Sequence, residues 1–124
     1  MFYNQKRRFI RPRQKPGEMN KTEEKYSELL EIRKKQGEII RYEFEKVKFK
    51  LAKKTFYTPD FFVVFEDRIE IHEVKGGYIT DDAIVKYKIA VEMFPEFVWK
   101  LIQYKNKKSG WVLLASNEAN NFEN

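Results

Sequence analysis

Helical spacing of apolar residues is the first regular pattern along the chain, and it begins near residue 21. Asn20 stands before it and Glu23 follows three residues later, which is the spacing of a capping box at a helix N-terminus. The apolar positions continue at this spacing as far as Gly37, a residue type that commonly ends helices. They include Tyr26, Leu29 and Leu30. The pattern predicts a first helix over residues 21–36.

Alternation of apolar and polar residues replaces the helical spacing from residue 39 onward. It is clearest over residues 46–51, where lysines alternate with Val, Phe and Leu and predict a half-buried strand with a basic outer face. Residues 61–65 are apolar on both faces and predict a buried strand. Residues 69–75 alternate again and predict a third strand, which ends at Gly76.

The C-terminal part of the chain predicts a second helix and a fourth strand. Thr80 or Asp81 caps this helix, and Pro95 stops it. Residues 97–102 form the last clear strand pattern. Residues 111–115 fit either a short edge strand or a helix, so both possibilities stay open.

The order of these elements is a helix, three strands, a helix and a strand. Short connections favour an antiparallel meander for the first three strands, whereas the crossover helix favours parallel pairing of the third and fourth. We therefore expect an α/β (α+β) fold with a mixed central sheet flanked by helices. The length of 124 residues suits one domain, which we place at residues 18–115, with a polar, disordered tail over residues 116–124.

The positive charge is concentrated at the N-terminus, in residues 1–17, which we call the basic arm. The arm has no acidic residue, and its six cations equal the whole net charge of +6. Pro12, Pro16 and Gly17 disfavour continuous helix or strand there. Arms of this kind commonly bind the phosphate backbone of nucleic acids, although a solubilising tail is the alternative. The candidate nucleic-acid contacts are Lys6, Arg7, Arg8, Arg11, Arg13 and Lys15.

The composition excludes several classes of protein. Cysteine is absent, which rules out disulfide frameworks, thiolate zinc sites and cysteine nucleophiles. No apolar run approaches the roughly 18 residues that a membrane span needs, and the first residues lack the apolar stretch of a secretory signal. We expect a cytoplasmic protein without membrane partners.

Candidate chemistry appears at the end of the third predicted strand. Period two places Glu73 and Lys75 on the same face as Ile69 and Ile71, where a purely structural strand would continue with apolar residues. A turn near residue 67 brings Asp60 opposite Val74 within about two residues, so two carboxylates and an ammonium converge. Close carboxylates disfavour each other's ionised form unless a cation is supplied. Magnesium or manganese fits such an all-oxygen site.

These residues resemble a known family. Pro59-Asp60, a gap of twelve residues and Glu73-Val74-Lys75 are similar to the signature of the PD-(D/E)XK nuclease superfamily. The order of predicted elements over residues 20–103 resembles the restriction-endonuclease-like core of that superfamily. Three runs resemble small phage-encoded nucleases within it, and also shorter junction-resolving and transposon-end-cutting members. They are Asn-Lys-Thr-Glu (20–23), Tyr-Thr-Pro-Asp-Phe (57–61) and His-Glu-Val-Lys-Gly (72–76).

The resemblance implies roles for individual residues. Asp60, Glu73 and the backbone carbonyl of Val74 would hold Mg²⁺ or Mn²⁺, and Lys75 would orient or help to deprotonate the attacking water and stabilise charge on the phosphate. Many relatives add an acidic residue from the first helix. Glu23 lies roughly 60° from the centre of the apolar stripe and Glu24 about 160°, so Glu23 is the better candidate, with a capping-box role as its alternative.

Two further side chains bear on the site. In many relatives a basic or amide side chain on the second helix reaches the catalytic centre, and Lys86 is the candidate here, with simple solvation as the alternative. His72 is the only histidine, but strand alternation turns it away from Glu73. It is therefore expected to be a polar residue on the opposite face of the sheet.

The expected function is a Mg²⁺- or Mn²⁺-dependent endodeoxyribonuclease that is structure-selective or weakly sequence-specific. A Holliday-junction resolvase is one alternative, and it requires a homodimer because two nicks must be made symmetrically. A non-catalytic nucleic-acid-binding module and an RNA endonuclease are the others, since phosphate contacts do not distinguish DNA from RNA. If the chain is phage-encoded, it would act in the host cytoplasm.

Overall fold

The computed structural model describes residues 16–118, in which two helices and seven strands are present. The helices are α1 (Lys21–Lys35) and α2 (Asp81–Met93). The strands are β1 (Arg41–Phe44), β2 (Phe49–Ala52), β3 (Thr55–Tyr57), β4 (Phe61–Val64), β5 (Ile69–Lys75), β6 (Val98–Asn106) and β7 (Gly110–Ser116). No helix within residues 16–118 is long and apolar enough to cross a membrane.

A five-stranded mixed sheet in the order β1-β4-β5-β6-β7 forms the centre of the fold. The strands β1, β4 and β5 pair antiparallel, as a meander does, and β5 pairs parallel with β6 through the α2 crossover. This confirms the prediction of a mixed sheet with two helices. β7 pairs antiparallel with β6, so residues 111–115 belong to an edge strand rather than to a helix.

The predicted first strand of the meander was wrong. Residues 49–52 form β2, which pairs with β3 in a separate two-stranded hairpin, and the first strand of the sheet is β1. The chain leaves β1 at Glu45 and turns again at Lys54, and both residues have positive φ values of 50° and 59°. Alternation along residues 46–51 correctly indicated one buried face, but this face packs on α2 and on the central sheet instead of extending it.

Two apolar cores lie on opposite faces of the central sheet. One packs α1 against the sheet and includes Tyr26, Leu30 and Val74. The other packs α2 and the hairpin against the sheet and includes Ile71 and Trp99. Val74 and Ile71 belong to different cores because successive side chains of β5 point to opposite faces. Glu73 and Lys75 therefore lie on the Ile71 face, as their spacing predicts.

The ends of the elements agree with the capping signals, whereas one predicted boundary shifts. Asn20 caps α1 and Thr80 caps α2. The polar tail was expected to start at Ser116, but this residue ends β7, and the Asn117 side chain accepts the Trp99 N–H at 2.8 Å. An asparagine that binds the backbone of the neighbouring strand extends the fold beyond the last apolar residue. Residues 119–124 of the predicted tail and residues 1–15 of the arm lie outside the described residues.

Candidate active site

Glu73 and Lys75 form an ion pair at the C-terminal end of β5. The Lys75 Nζ lies 3.0 Å from the Glu73 Oε2, and the Glu73 side chain is 7% exposed. The apolar part of the same face, Ile71, is fully buried in the core beside α2. A carboxylate and an ammonium thus replace apolar residues where this face reaches the end of the sheet.

Asp60 reaches the same place from the start of β4. The register pairs Phe61 with His72, which brings Asp60 level with Glu73, one residue from the position that the turn predicted. The Asp60 Oδ2 accepts the Val74 N–H at 2.8 Å. Because the N–H and C=O of one strand residue point to the same side, the Val74 carbonyl also faces Asp60. The structure therefore brings together four groups that the sequence analysis predicted for the site, which are the Asp60 and Glu73 carboxylates, the Lys75 ammonium and the Val74 carbonyl.

Burial and like charge act strongly on Asp60, which is 6% exposed. Burial and then the negative charge of Glu73 raise the pKa of its carboxyl to about 9, although the hydrogen bond from the Val74 N–H acts in the opposite direction. For Lys75, burial lowers the pKa, but the charges of Glu73 and Asp60 outweigh burial, and the pKa is raised. The site thus keeps Lys75 cationic and disfavours the ionised form of Asp60.

Two tyrosines that sequence reasoning did not select surround Glu73. The Tyr57 hydroxyl donates a 2.7 Å hydrogen bond to the Glu73 Oε1. The Tyr87 hydroxyl is buried and has no hydrogen-bond partner within the described part of the chain, and its pKa is raised to about 12 by burial and then by the charge of Glu73. Tyr57 lies three residues before Asp60, but its contact with Glu73 depends on the β2–β3 hairpin, which the sequence pattern did not predict.

Glu23 combines its capping role with a position near the centre. Its Oε1 accepts the Asn20 N–H at 2.9 Å, and its own N–H donates to the Asn20 Oδ1 at 2.8 Å, so the capping box is present. Its charge nevertheless contributes to the raised pKa values of both Asp60 and Lys75. Glu24 is exposed and is not among the charges that act on the pKa of Asp60, which supports the choice of Glu23 over Glu24 from helix phase.

The remaining candidates lie farther from the carboxylates. The Lys86 Nζ donates to the Phe56 carbonyl at 3.3 Å, which places it against the hairpin one residue from Tyr57. The six basic residues of the arm precede Pro16 and lie outside the described residues. His72 lies on the α1 face, as predicted, where its Nδ1 is 2.7 Å from the Tyr26 hydroxyl. It takes no part in the carboxylate cluster.

The donors at this end of the sheet fit a hard divalent cation. Within residues 16–118, no three acidic or histidine side chains form a metal-binding cluster. Magnesium, however, is commonly held by one or two carboxylates and keeps several waters. The raised pKa of Asp60, which burial and then the charge of Glu73 produce, is the behaviour of carboxylates that lack a compensating cation. Asp60, Glu73 and the Val74 carbonyl together offer the oxygen donors that such an ion prefers.

Comparisons with known proteins identify no family, so the function is inferred from the geometry of the site. The sequence matches no family model, and no curated protein is significantly similar to it.

Proposed function

We propose that the chain is a Mg²⁺- or Mn²⁺-dependent nuclease of the PD-(D/E)XK type that hydrolyses phosphodiester bonds in DNA. One observation carries the proposal: Asp60, Glu73 and Lys75 converge, largely buried, at the adjoining ends of β4 and β5. A structural role alone would not require Asp60 to lie beside Glu73, where burial and the charge of Glu73 disfavour the ionised form of Asp60.

The order and pairing of the elements support the same class. α1, the meander β1-β4-β5, the crossover helix α2 and the parallel strand β6 follow the order of the restriction-endonuclease-like core. The β2–β3 hairpin is then an insertion between the first two strands of that core. It contributes Tyr57 to the site, so it is part of the proposed catalytic unit.

Each residue of the site has a separate task in phosphodiester hydrolysis. The reaction joins a water oxygen to phosphorus and breaks one P–O ester bond, and the leaving oxygen acquires a proton. Asp60, Glu73 and the Val74 carbonyl would hold a divalent cation, which polarises the phosphoryl oxygens and lowers the pKa of water when bound. Tyr57 fixes the Glu73 carboxylate through the hydrogen bond to its Oε1, so this carboxylate is oriented before substrate arrives.

Lys75 acts as a cation in this proposal rather than as a general base. Its pKa is raised, so its Nζ keeps the proton at neutral pH. A protonated Nζ can donate to a non-bridging phosphate oxygen and to the attacking water, and it stabilises the negative charge that develops on the phosphoryl group. Loss of one such donor commonly slows an enzyme by about 10²- to 10³-fold.

The decisive experiment is a cleavage panel with Mg²⁺, Mn²⁺ and EDTA. The substrates are linear duplex, flap, fork, four-way junction, single-stranded DNA and matched RNA. We expect metal-dependent cleavage of at least one DNA substrate, and its loss in Asp60→Asn. Asp67→Asn is the matched control, because Asp67 is an exposed aspartate in the turn between the same two strands. This variant should retain full activity.

The outcomes of the panel separate the competing functions. Cleavage restricted to the four-way junction by a dimer indicates a junction resolvase, and preferential cleavage of RNA indicates a ribonuclease. Binding without cleavage under every metal condition indicates a non-catalytic module. Activity that Asp60→Asn leaves unchanged contradicts the assignment of the site, whatever the substrate.

A further inference from the structure

Tyr87 is buried in the middle of α2, and its hydroxyl has no hydrogen-bond partner among the residues that the structure describes. The other two buried tyrosines of this part of the chain, Tyr26 and Tyr57, both have one. A buried hydroxyl without a partner destabilises the folded state, because it gives up its hydrogen bonds to water and gains none. Phenylalanine would fill the same space without this cost, so the hydroxyl itself requires an explanation.

The Tyr87 side chain lies beside Tyr57, which holds Glu73. It packs edge-on against Trp99 with 6.1 Å between the ring centroids, and Tyr57 stacks on the same indole at 6.3 Å. Lys86, the preceding residue of the helix, donates to the backbone carbonyl that precedes Tyr57. Burial, and then the charge of Glu73, raises the pKa of Tyr87, so the hydroxyl lies within reach of that charge. The unpartnered hydroxyl therefore belongs to the carboxylate end of the core.

The Glu73 carboxylate is held in place without Tyr87. Its Oε1 accepts from the Tyr57 hydroxyl at 2.7 Å, and its Oε2 lies 3.0 Å from the Lys75 Nζ. The Tyr87 hydroxyl is thus available to a ligand that Glu73 binds. The oxygen donors of this site favour a divalent cation, and Mg²⁺ keeps several waters when one or two carboxylates hold it. A tyrosine oxygen can accept a hydrogen bond from such a water, which the cation makes a strong donor.

We propose that Tyr87 is a positioning residue of the cation site, whose hydroxyl oxygen accepts a hydrogen bond from a water of the hydrated cation that Glu73 holds. This inference rests on the proposed function for the presence of the cation, but it requires neither cleavage nor a particular nucleic acid. The hydroxyl then destabilises the metal-free fold and strengthens cation binding. Its removal should therefore change stability and cation affinity in opposite directions.

Tyr87→Phe removes the hydroxyl and keeps the ring that packs against Trp99. Two substitutions serve as references, because Tyr57→Phe removes a hydroxyl that has a partner and Tyr78→Phe removes one from a side chain that is 90% exposed. The melting temperature of each full chain is measured in EDTA. Affinity for Mn²⁺ is measured by isothermal titration calorimetry without nucleic acid, and Glu73→Gln identifies the Mn²⁺ that binds at this site.

In EDTA, we expect Tyr87→Phe to melt at least about 3 °C above the wild type, because the unpaired hydroxyl is gone, and Tyr57→Phe to melt below it. Tyr87→Phe should bind Mn²⁺ about tenfold more weakly, which is typical of losing a residue that orients the ligands of a metal. It should also need about tenfold more Mn²⁺ for half-maximal cleavage and approach the wild-type rate at saturation. Tyr78→Phe should match the wild type in stability and Mn²⁺ affinity.

Three results overturn the proposal. A melting temperature of Tyr87→Phe in EDTA at or below that of the wild type shows that the hydroxyl does not destabilise the metal-free fold. Unchanged Mn²⁺ affinity shows that the hydroxyl does not act on the cation, even if the variant is more stable. Absence of Mn²⁺ binding by the wild type removes the ligand that the hydroxyl is proposed to contact.

The proposed nuclease activity can fail independently of this inference. If Tyr87→Phe is more stable and binds Mn²⁺ more weakly, but the wild type cleaves no substrate, the positioning role stands and the catalytic assignment falls. If the wild type cleaves and Tyr87→Phe binds Mn²⁺ as tightly as it does, the catalytic assignment stands and the positioning role falls.

Discussion

Glu70 provides the sharpest quantitative test of the structure, because it is a fully buried carboxylate at 0% exposure with three cationic or polar partners. Its Oε2 accepts from the Arg68 Nε at 2.7 Å, and its Oε1 lies 2.8 Å from the His72 Nε2 and 3.2 Å from the Lys100 Nζ. Burial alone would raise its pKa, but the hydrogen bonds of His72 and Arg68 outweigh burial and lower it to about 2. Glu70→Gln removes the charge while keeping the shape.

The magnitude follows from linkage. A carboxyl whose pKa falls from 4.5 in the unfolded chain to about 2 in the folded state stabilises the fold by about 3 kcal/mol above pH 4.5. This stability is lost as the pH falls from about 4.5 towards 2, and about 1 kcal/mol of it remains at pH 3. Breaking a buried ion pair by removing one partner independently suggests about 3–5 kcal/mol. The two values agree near 3 kcal/mol at pH 7.

The assay is urea unfolding of wild type and Glu70→Gln at pH 7 and pH 3, followed by tryptophan fluorescence. We expect the variant to lose about 3 kcal/mol at pH 7 and about 1 kcal/mol at pH 3. Glu38→Gln is the control, since its pair with Arg33 is exposed and should contribute less than about 1 kcal/mol. A Glu70→Gln difference below about 1 kcal/mol at pH 7, or one that does not shrink at pH 3, refutes the reasoning.

Four further predictions concern the site and the arm. Lys75→Met should slow cleavage by about 10²- to 10³-fold and leave DNA affinity nearly unchanged. A variant that cleaves as fast as the wild type would exclude an electrostatic role for Lys75. Glu23→Gln should keep the melting temperature, because Gln serves equally in a capping box, and lower metal-dependent cleavage, whereas Glu24→Gln should change neither. Millimolar Mg²⁺ or Mn²⁺ should raise the melting temperature of wild type relative to EDTA, and Glu73→Gln should abolish this gain; equal shifts in both would count against the metal site. Removing residues 1–15 should reduce the steepness of log affinity against log salt concentration by up to about five, which is the value for six phosphate contacts. An unchanged slope would mean that the arm does not bind phosphates.

The candidate site was more predictable from sequence than the path of the chain around it. Asp60 and Glu73 could be brought together because a short turn between two strands determines the register to within about one residue. The hairpin could not be predicted in this way. Alternation of apolar and polar residues indicates that Phe49 is buried, but it does not indicate that Trp99 and Phe94 cover it. The contribution of Tyr57 depends on that hairpin, so it required the tertiary structure.

The two faces of the sheet at β5 differ in how the charge of a buried carboxylate is compensated. On the α1 face, the hydrogen bonds and charges of the partners of Glu70 outweigh burial and lower its pKa, so the ionised carboxylate favours the folded state. On the α2 face, burial and Glu73 raise the pKa of Asp60. Lys75, the cation within reach, is already paired with Glu73. The sheet therefore carries a compensated carboxylate, Glu70 on β5, and an uncompensated one, Asp60 beside the start of β4. Its partners stabilise the charge of Glu70, whereas the ionised form of Asp60 costs the fold free energy that a bound cation would recover.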